Sequence, residues 1–209
     1  GSEAYFLCGP MSAGGGLLTW LADGVYPEIS SGSSFATLEA AAASVSPGGS
    51  GLVFLPYLGG ERAPIWDPLA RGAFVGLTHS HDRRHLTRAV YEGVAFAIRH
   101  VLDVCEAAAE IKSNQIRCCG GGSKSTLWNQ IKANVLQREV LPTRIAETAS
   151  LGAAMLAGIS AGFFDSVHDA SDQMVHFGRP VEPDNKLSSL FDTNYGIYRQ
   201  LYPALCEIA

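Results

Sequence analysis

Residues 116–125 read Ile116-Arg117-Cys118-Cys119-Gly120-Gly121-Gly122-Ser123-Lys124-Ser125, and Thr126-Leu127-Trp128-Asn129-Gln130-Ile131 follows directly. Ile116 to Cys119 is predicted as a strand. Ser125 to Gln137 is predicted as a helix, with Leu127, Trp128, Ile131 and Val135 inward. Three glycines between a strand and a helix leave bare backbone whose free N–H groups can face a phosphate or a ribose. Two common phosphate-binding patterns fail here. A Walker A loop needs Gly directly before its Lys, and Ser123 precedes Lys124; a dinucleotide fingerprint needs a third, spaced Gly, and Ser125 stands there. On spacing alone the run serves equally well as a tight strand-to-helix turn.

Working outward, the same alternation continues. Val140 to Thr143 suggests a short strand and Ser150 to Ala161 a helix of small residues. Upstream, apolar residues at Leu86, Val90, Val94, Ala97, Ile98, Val101, Leu102 and Cys105 recur every three or four positions. They predict a helix from Arg83 to Ala109, with Asp82 as its N-cap. On that helix Arg88 and Glu92 stand one turn apart and are assigned to the wetter face. Gly51 to Tyr57 reads as a buried strand and Ala73 to Leu77 as another, with an irregular stretch, Gly59 to Pro68, between them. A helix over Leu38–Val45, a short helix after the Met11–Gly16 turn, a strand at Tyr5–Cys8 and a closing helix from Tyr195 to Pro203 complete the reading. Strand and helix in alternation predict an α/β layer architecture.

Composition excludes several classes. The chain has 209 residues, enough for one large domain or two small ones, and a net charge of −5 with no basic stripe, which argues against nucleic acid as a partner. No apolar run is long enough to span a bilayer, and a cytoplasmic location is expected. Five cysteines in no regular spacing (Cys8, Cys105, Cys118, Cys119, Cys206) read as buried free thiols. Gly1-Ser2 reads as an expression-tag remnant, leaving residues 3–209 as the domain. His79, His81 and His85 lack a companion cluster with ligand spacing, so no metal residue is assigned. Serine-hydrolase chemistry lacks its Gly-x-Ser-x-Gly elbow. Glu61, Arg62 and Asp67 form a charged loop that either lines a cleft or is held by its own ion pairs.

Three blocks, in order, resemble one family. Gly120-Gly121-Gly122-Ser123-Lys124-Ser125 with Leu127-Trp128-Asn129-Gln130, then Ser150-Leu151-Gly152-Ala153-Ala154-Met155-Leu156-Ala157, resembles the adenosine-binding motif of the FGGY carbohydrate kinases, relatives of hexokinase and actin. Gly76-Leu77-Thr78, the turn to Arg84, and His85 through Gly93 resemble the family's C-terminal signature. Leu55 through Pro68 is similar to xylulokinase-like members. The resemblance covers about Met11 to Ala161. It implies a ribonuclease-H-like lobe of the actin/hexokinase superfamily, an α/β fold with a mixed sheet flanked by helices.

The resemblance also implies ATP and Mg²⁺ as cofactors and phosphoryl transfer to a sugar hydroxyl, with a pentulose such as xylulose as acceptor. It places Gly120, Gly121 and Gly122 near the ribose and α-phosphate and Gly15 beside the nucleotide. Ser125 stands where relatives often carry an adenine-contacting Asn. The family's first lobe, with its sugar site, general-base Asp and phosphate loop, has no match here. No catalytic residue is therefore assigned, and the chain alone is expected to be inactive. A non-catalytic binding or assembly module of the same fold is the alternative, and association of the exposed lobe into a homodimer is expected.

Overall fold

The computed structural model describes residues 6–28 and 34–207. Helices α1 (Gly16–Val25) and α2 (Ser34–Ala43) precede strands β1 (Val53–Leu55) and β2 (Ala73–Val75). The long helix α3 (Arg83–Ala109) leads to β3 (Gln115–Cys118), α4 (Thr126–Leu136) and β4 (Glu139–Pro142). Helices α5 (Thr148–Ser160), α6 (Val167–Met174) and α7 (Ser188–Leu205) complete the chain. Gly1 and Ser2, read above as a tag remnant, lie outside the described residues.

The strands form two separate pairs. β1 and β2 run antiparallel with Val53 opposite Val75, and β3 and β4 run parallel from Gln115–Glu139 to Cys118–Pro142, with α4 as the crossover between them. Single antiparallel bridges to Phe177 and Val181 cover the far edge of β4.

α3 is the beam of the fold. The Asp82 carboxylate accepts from the Arg84 and His85 N–H groups, and the His85 ring bonds back toward residue 82, closing a reciprocal cap. The Arg84 side chain first, and then that of His85, hold the Asp82 carboxyl well below the usual carboxylate range. The inner face of α3 buries Val90, Tyr91, Val94 and Phe96 against Phe54 and Leu55 of β1 and Phe191 and Tyr198 of α7. Gly93 lets the two backbones meet, because a Cβ there would lie 2.5 Å from the Phe54 carbonyl oxygen.

Four expectations are corrected. Residues 6–8 carry no regular structure, so a strand at Tyr5–Cys8 is not formed over its described part. Arg88 and Glu92 lie in the core and not on the wet face, because the turn after α2 folds over them. Cys8, Cys119 and Cys206 are exposed and Cys105 and Cys118 half-buried, so the thiols are free but not core residues. The final helix starts at Ser188, well before Tyr195, and α6 was not anticipated.

Candidate functional site

The glycine run becomes a tightly closed turn. β3 ends at Cys118, and Gly120 adopts φ +79, a left-handed conformation that an L side chain resists. Its N–H donates to the Ala146 carbonyl at 3.1 Å, while the Ser123 N–H and hydroxyl both donate back to the Gly120 carbonyl at 3.1 and 2.8 Å. Ser125 then caps α4, its Oγ accepting from the Trp128 N–H at 3.0 Å. The Asn129 amide donates to the Ser123 carbonyl at 2.7 Å, and the Trp128 indole N–H donates to the Tyr91 carbonyl at 3.1 Å, fastening α4 to α3.

The turn opens onto a cleft of about 540 Å³ between α1, α2, α3 and α4. Gly121, Gly122, Lys124 and Ser125 form one side; Gly15, Leu18 and Thr19 of the α1 end form another. The nearly buried rings of Tyr91 and Trp128 and the exposed Phe35 supply apolar wall, and Glu39 of α2 supplies the one carboxylate among the lining residues. Its size, mostly apolar wall and few polar groups suit a small organic ligand. Burial, and then the Glu39 charge, push the Tyr91 phenol upward, so it stays neutral at ordinary pH.

Of the residues singled out from sequence, Gly15, Gly121, Gly122 and Ser125 line this cleft together. Gly120 sits one residue outside the lining and shapes the turn. A Cβ on Gly122 would stand 3.1 Å from the Trp128 ring, a tight fit that the ring would have to yield to, whereas a Cβ on Gly121 meets nothing within 4 Å. Sequence reasoning missed Glu39 and Lys124. Lys124 lay inside the quoted motif; Glu39 had no local signal, because its partners are some eighty residues away. Its Oε1 accepts from the Ser125 hydroxyl at 2.8 Å and from the Leu127 N–H at 3.0 Å.

The charged 59–68 loop has a different task. The Ala63 N–H donates to the Pro10 carbonyl at 2.9 Å and Arg62 Nη2 to the Met11 carbonyl at 2.7 Å, while Glu61 Oε1 accepts from the Ser12 N–H at 2.5 Å. Three consecutive residues leading into the Gly14–Gly16 turn are thus clasped. Among the described residues Glu61, Arg62 and Asp67 form no ion pairs with one another; backbone bonds between Glu61 and Asp67 close the loop, and Asp67 accepts from the Tyr202 hydroxyl at 2.9 Å. The reading of a loop held by its own ion pairs fails because Arg62 is drawn to a carbonyl.

The histidine turn is occupied by local bonding: His81 Nδ1 accepts from the Thr78 N–H at 2.9 Å and His85 closes the α3 cap. Among the described residues no group of three His, Cys, Asp or Glu is placed to hold a metal ion.

With this geometry in hand, comparison with known proteins decides the family. The C-terminal domain of the FGGY family of carbohydrate kinases matches residues 1–161. The chain belongs to the FGGY family of carbohydrate kinases. Among FGGY relatives, a xylulose kinase of Lactococcus lactis is 32% identical over 208 residues, 99% of this chain and 40% of that protein. A glycerol kinase of Herminiimonas arsenicoxydans is 37% identical over 169 residues, 81% of this chain and 33% of that protein. The crystal structure of ligand-bound xylulose kinase from Lactobacillus acidophilus superposes with a TM-score of 0.82 at 29% identity, covering 95% of this chain and 39% of that one. The fold is therefore the ribonuclease-H-like, actin/hexokinase-type lobe of the FGGY kinases, and the chain spans about 40% of the length of these relatives. No helix among the described residues is long and apolar enough to cross a membrane.

Proposed function

We propose that this chain is the nucleotide-binding part of an ATP-dependent carbohydrate kinase, which transfers the γ-phosphoryl of ATP to a sugar hydroxyl. The observation that carries the reading is the convergence of Gly15, Gly121, Gly122 and Ser125 on one cleft with aromatic walls. A purine lies between such walls, while the ribose and α-phosphate lie against the bare backbone at Gly121 and Gly122. Lys124, exposed at the cleft, adds the positive charge that phosphates attract.

The acceptor is a pentulose such as xylulose. Support comes from the Lactococcus lactis xylulose kinase, similar over 99% of this chain, while a glycerol kinase at 37% identity keeps other polyols in contention. The remainder of such an enzyme supplies the sugar site and the general base, and this chain alone transfers nothing. Phosphoryl transfer is mostly positioning and charge stabilisation, so what these residues contribute is a held nucleotide. Mg²⁺ accompanies ATP in kinases generally, but the described residues hold no acidic cluster that fits it, and its ligands are the nucleotide and the rest of the enzyme.

Calorimetric titration of Mg-ATP into the chain, beside Gly121→Asp, tests the reading. Gly121 has open space and an ordinary φ, so the variant folds and sets a carboxylate against the phosphates. Saturable binding lost in Gly121→Asp supports the assignment. Equal binding by both would move the nucleotide elsewhere, and no binding by the parent chain would remove the nucleotide role.

A further inference from the structure

We infer that Glu39 reads the base of the bound nucleotide, accepting a hydrogen bond from the exocyclic 6-amino group of adenine and excluding 6-oxo purines. The inference rests on the nucleotide reading given above and goes on to name the residue that sets base identity.

The hydrogen-bond inventory of the cleft leads to it. Ser125, the residue at the expected adenine-contact position, has one hydroxyl proton, and that proton is donated to Glu39 Oε1 at 2.8 Å. The same hydroxyl oxygen accepts the Trp128 N–H at 3.0 Å. Ser125 therefore has no donor left for a ligand. Glu39 Oε1 is also taken, by Ser125 and by the Leu127 N–H at 3.0 Å. Glu39 Oε2, by contrast, has no hydrogen-bond partner among the described residues, although the side chain lines the cleft and is only half-buried. Two donors on Oε1 fix the carboxylate plane, so the free oxygen is pre-oriented and a ligand need not order it.

This corner of the cleft consequently presents acceptor character. A purine lodged in the cleft beside Glu39 satisfies it with an N–H donor, which adenine carries at position 6. A 6-oxo group would set its lone pairs against a carboxylate, leaving two acceptors facing each other in a partly desolvated site. Sites built around one hydrogen-bond polarity reject the opposite polarity strongly.

Glu39→Gln is the informative variant. The amide keeps an oxygen for Ser125 and Leu127 and replaces the free oxygen by an N–H₂ donor, inverting the polarity that the ligand meets. The probes are Mg-ATP and Mg-ITP, which differ at the base in carrying an amino or an oxo group at position 6. Calorimetry on the parent chain is expected to give tighter binding of ATP than ITP by roughly tenfold or more. Glu39→Gln is expected to weaken ATP by roughly tenfold and bring ITP to parity or better. Circular dichroism melting confirms that the α4 cap survives.

An ATP-to-ITP ratio near one in the parent chain overturns the inference without any variant. An unchanged ratio in folded Glu39→Gln overturns it too, while leaving the nucleotide reading intact. Failure of the parent chain to bind either triphosphate overturns the nucleotide reading itself and the inference with it.

Discussion

The Arg88 guanidinium and the Glu92 carboxylate pair inside the core, with side chains only 5% and 1% exposed. Glu92 Oε1 also accepts from the Gly48 N–H at 2.9 Å, and Arg88 Nη1 reaches the Ala42 and Val45 carbonyls at 3.5 and 3.4 Å. One ion pair thus ties the connection between α2 and β1 to the middle of α3. Burial raises the Glu92 pKa and the Arg88 charge opposes that rise. Removing one partner strands a buried charge, so Arg88→Met or Glu92→Leu should each cost about 3–5 kcal/mol. The double variant should cost clearly less than the sum, as read by urea unfolding of all four proteins. Additive losses would mean that the two groups do not act as a pair.

Tyr57 and Tyr198 share a hydrogen bond of 2.8 Å between hydroxyls in the core, joining the end of β1 to α7. Burial raises both phenols, Tyr57 to about 12, so neither ionises in the working range. Tyr57→Phe leaves the Tyr198 hydroxyl without its partner and should cost about 1–3 kcal/mol. Replacing both by Phe removes donor and acceptor together, and the double variant should unfold at a urea concentration above that of either single variant.

His100 gives the fold an acid limit. It is 8% exposed, and its Nδ1 has no hydrogen-bond partner among the described residues. Burial lowers its pKa to about 4, the Arg199 charge adds to the shift, and Asp103 opposes it. The folded pKa lies below the ordinary value of 6.5, so the unfolded chain binds the proton more readily. The neutral ring's stability is fully present above about 6.5 and is lost as pH falls toward 4, by roughly 3 kcal/mol at most. Urea midpoints at pH 7 and pH 4.5 should differ less in His100→Phe than in the parent. Equal acid sensitivity would exonerate His100.

What was legible in the sequence was what local rules write. α3 announced itself through the Asp82 cap and an apolar stripe, and the Gly120–Gly122 turn through glycines, of which Gly120 at φ +79 has to be one. The α6 helix was equally announced, by a Ser166 cap accepting the Asp169 N–H at 3.1 Å, but it is short and lies beyond the family blocks. What stayed hidden depended on distant partners. The spacing of Arg88 and Glu92 is the same whether they face water or the core, and only the turn at residues 42–49 decides between the two. Glu39 sits in an Ala-rich helix whose sequence says nothing of a contact with Ser125, 86 residues away.

The clasp at Glu61 couples stability to the cleft, and it yields the last prediction. Glu61 is 3% exposed, and its Oε1 accepts the Ser12 and Arg62 N–H groups while Oε2 is buried without a partner among the described residues. Ser12 lies three residues before Gly15, which lines the cleft, so the carboxylate holds one wall of the proposed nucleotide site from behind. Glu61→Ala orphans both N–H groups and should cost about 1–3 kcal/mol. It should also weaken Mg-ATP binding severalfold, although Glu61 is not among the residues lining that cleft. Tyr202→Phe is the control. It removes the 2.9 Å bond to Asp67 at the other end of the same loop, lowering stability without releasing residues 10–12. Calorimetry and melting on both variants separate the effects. If Tyr202→Phe weakens ATP as much as Glu61→Ala at equal loss of stability, affinity follows general loosening of the fold. If only Glu61→Ala does so, the clasp positions the α1 wall.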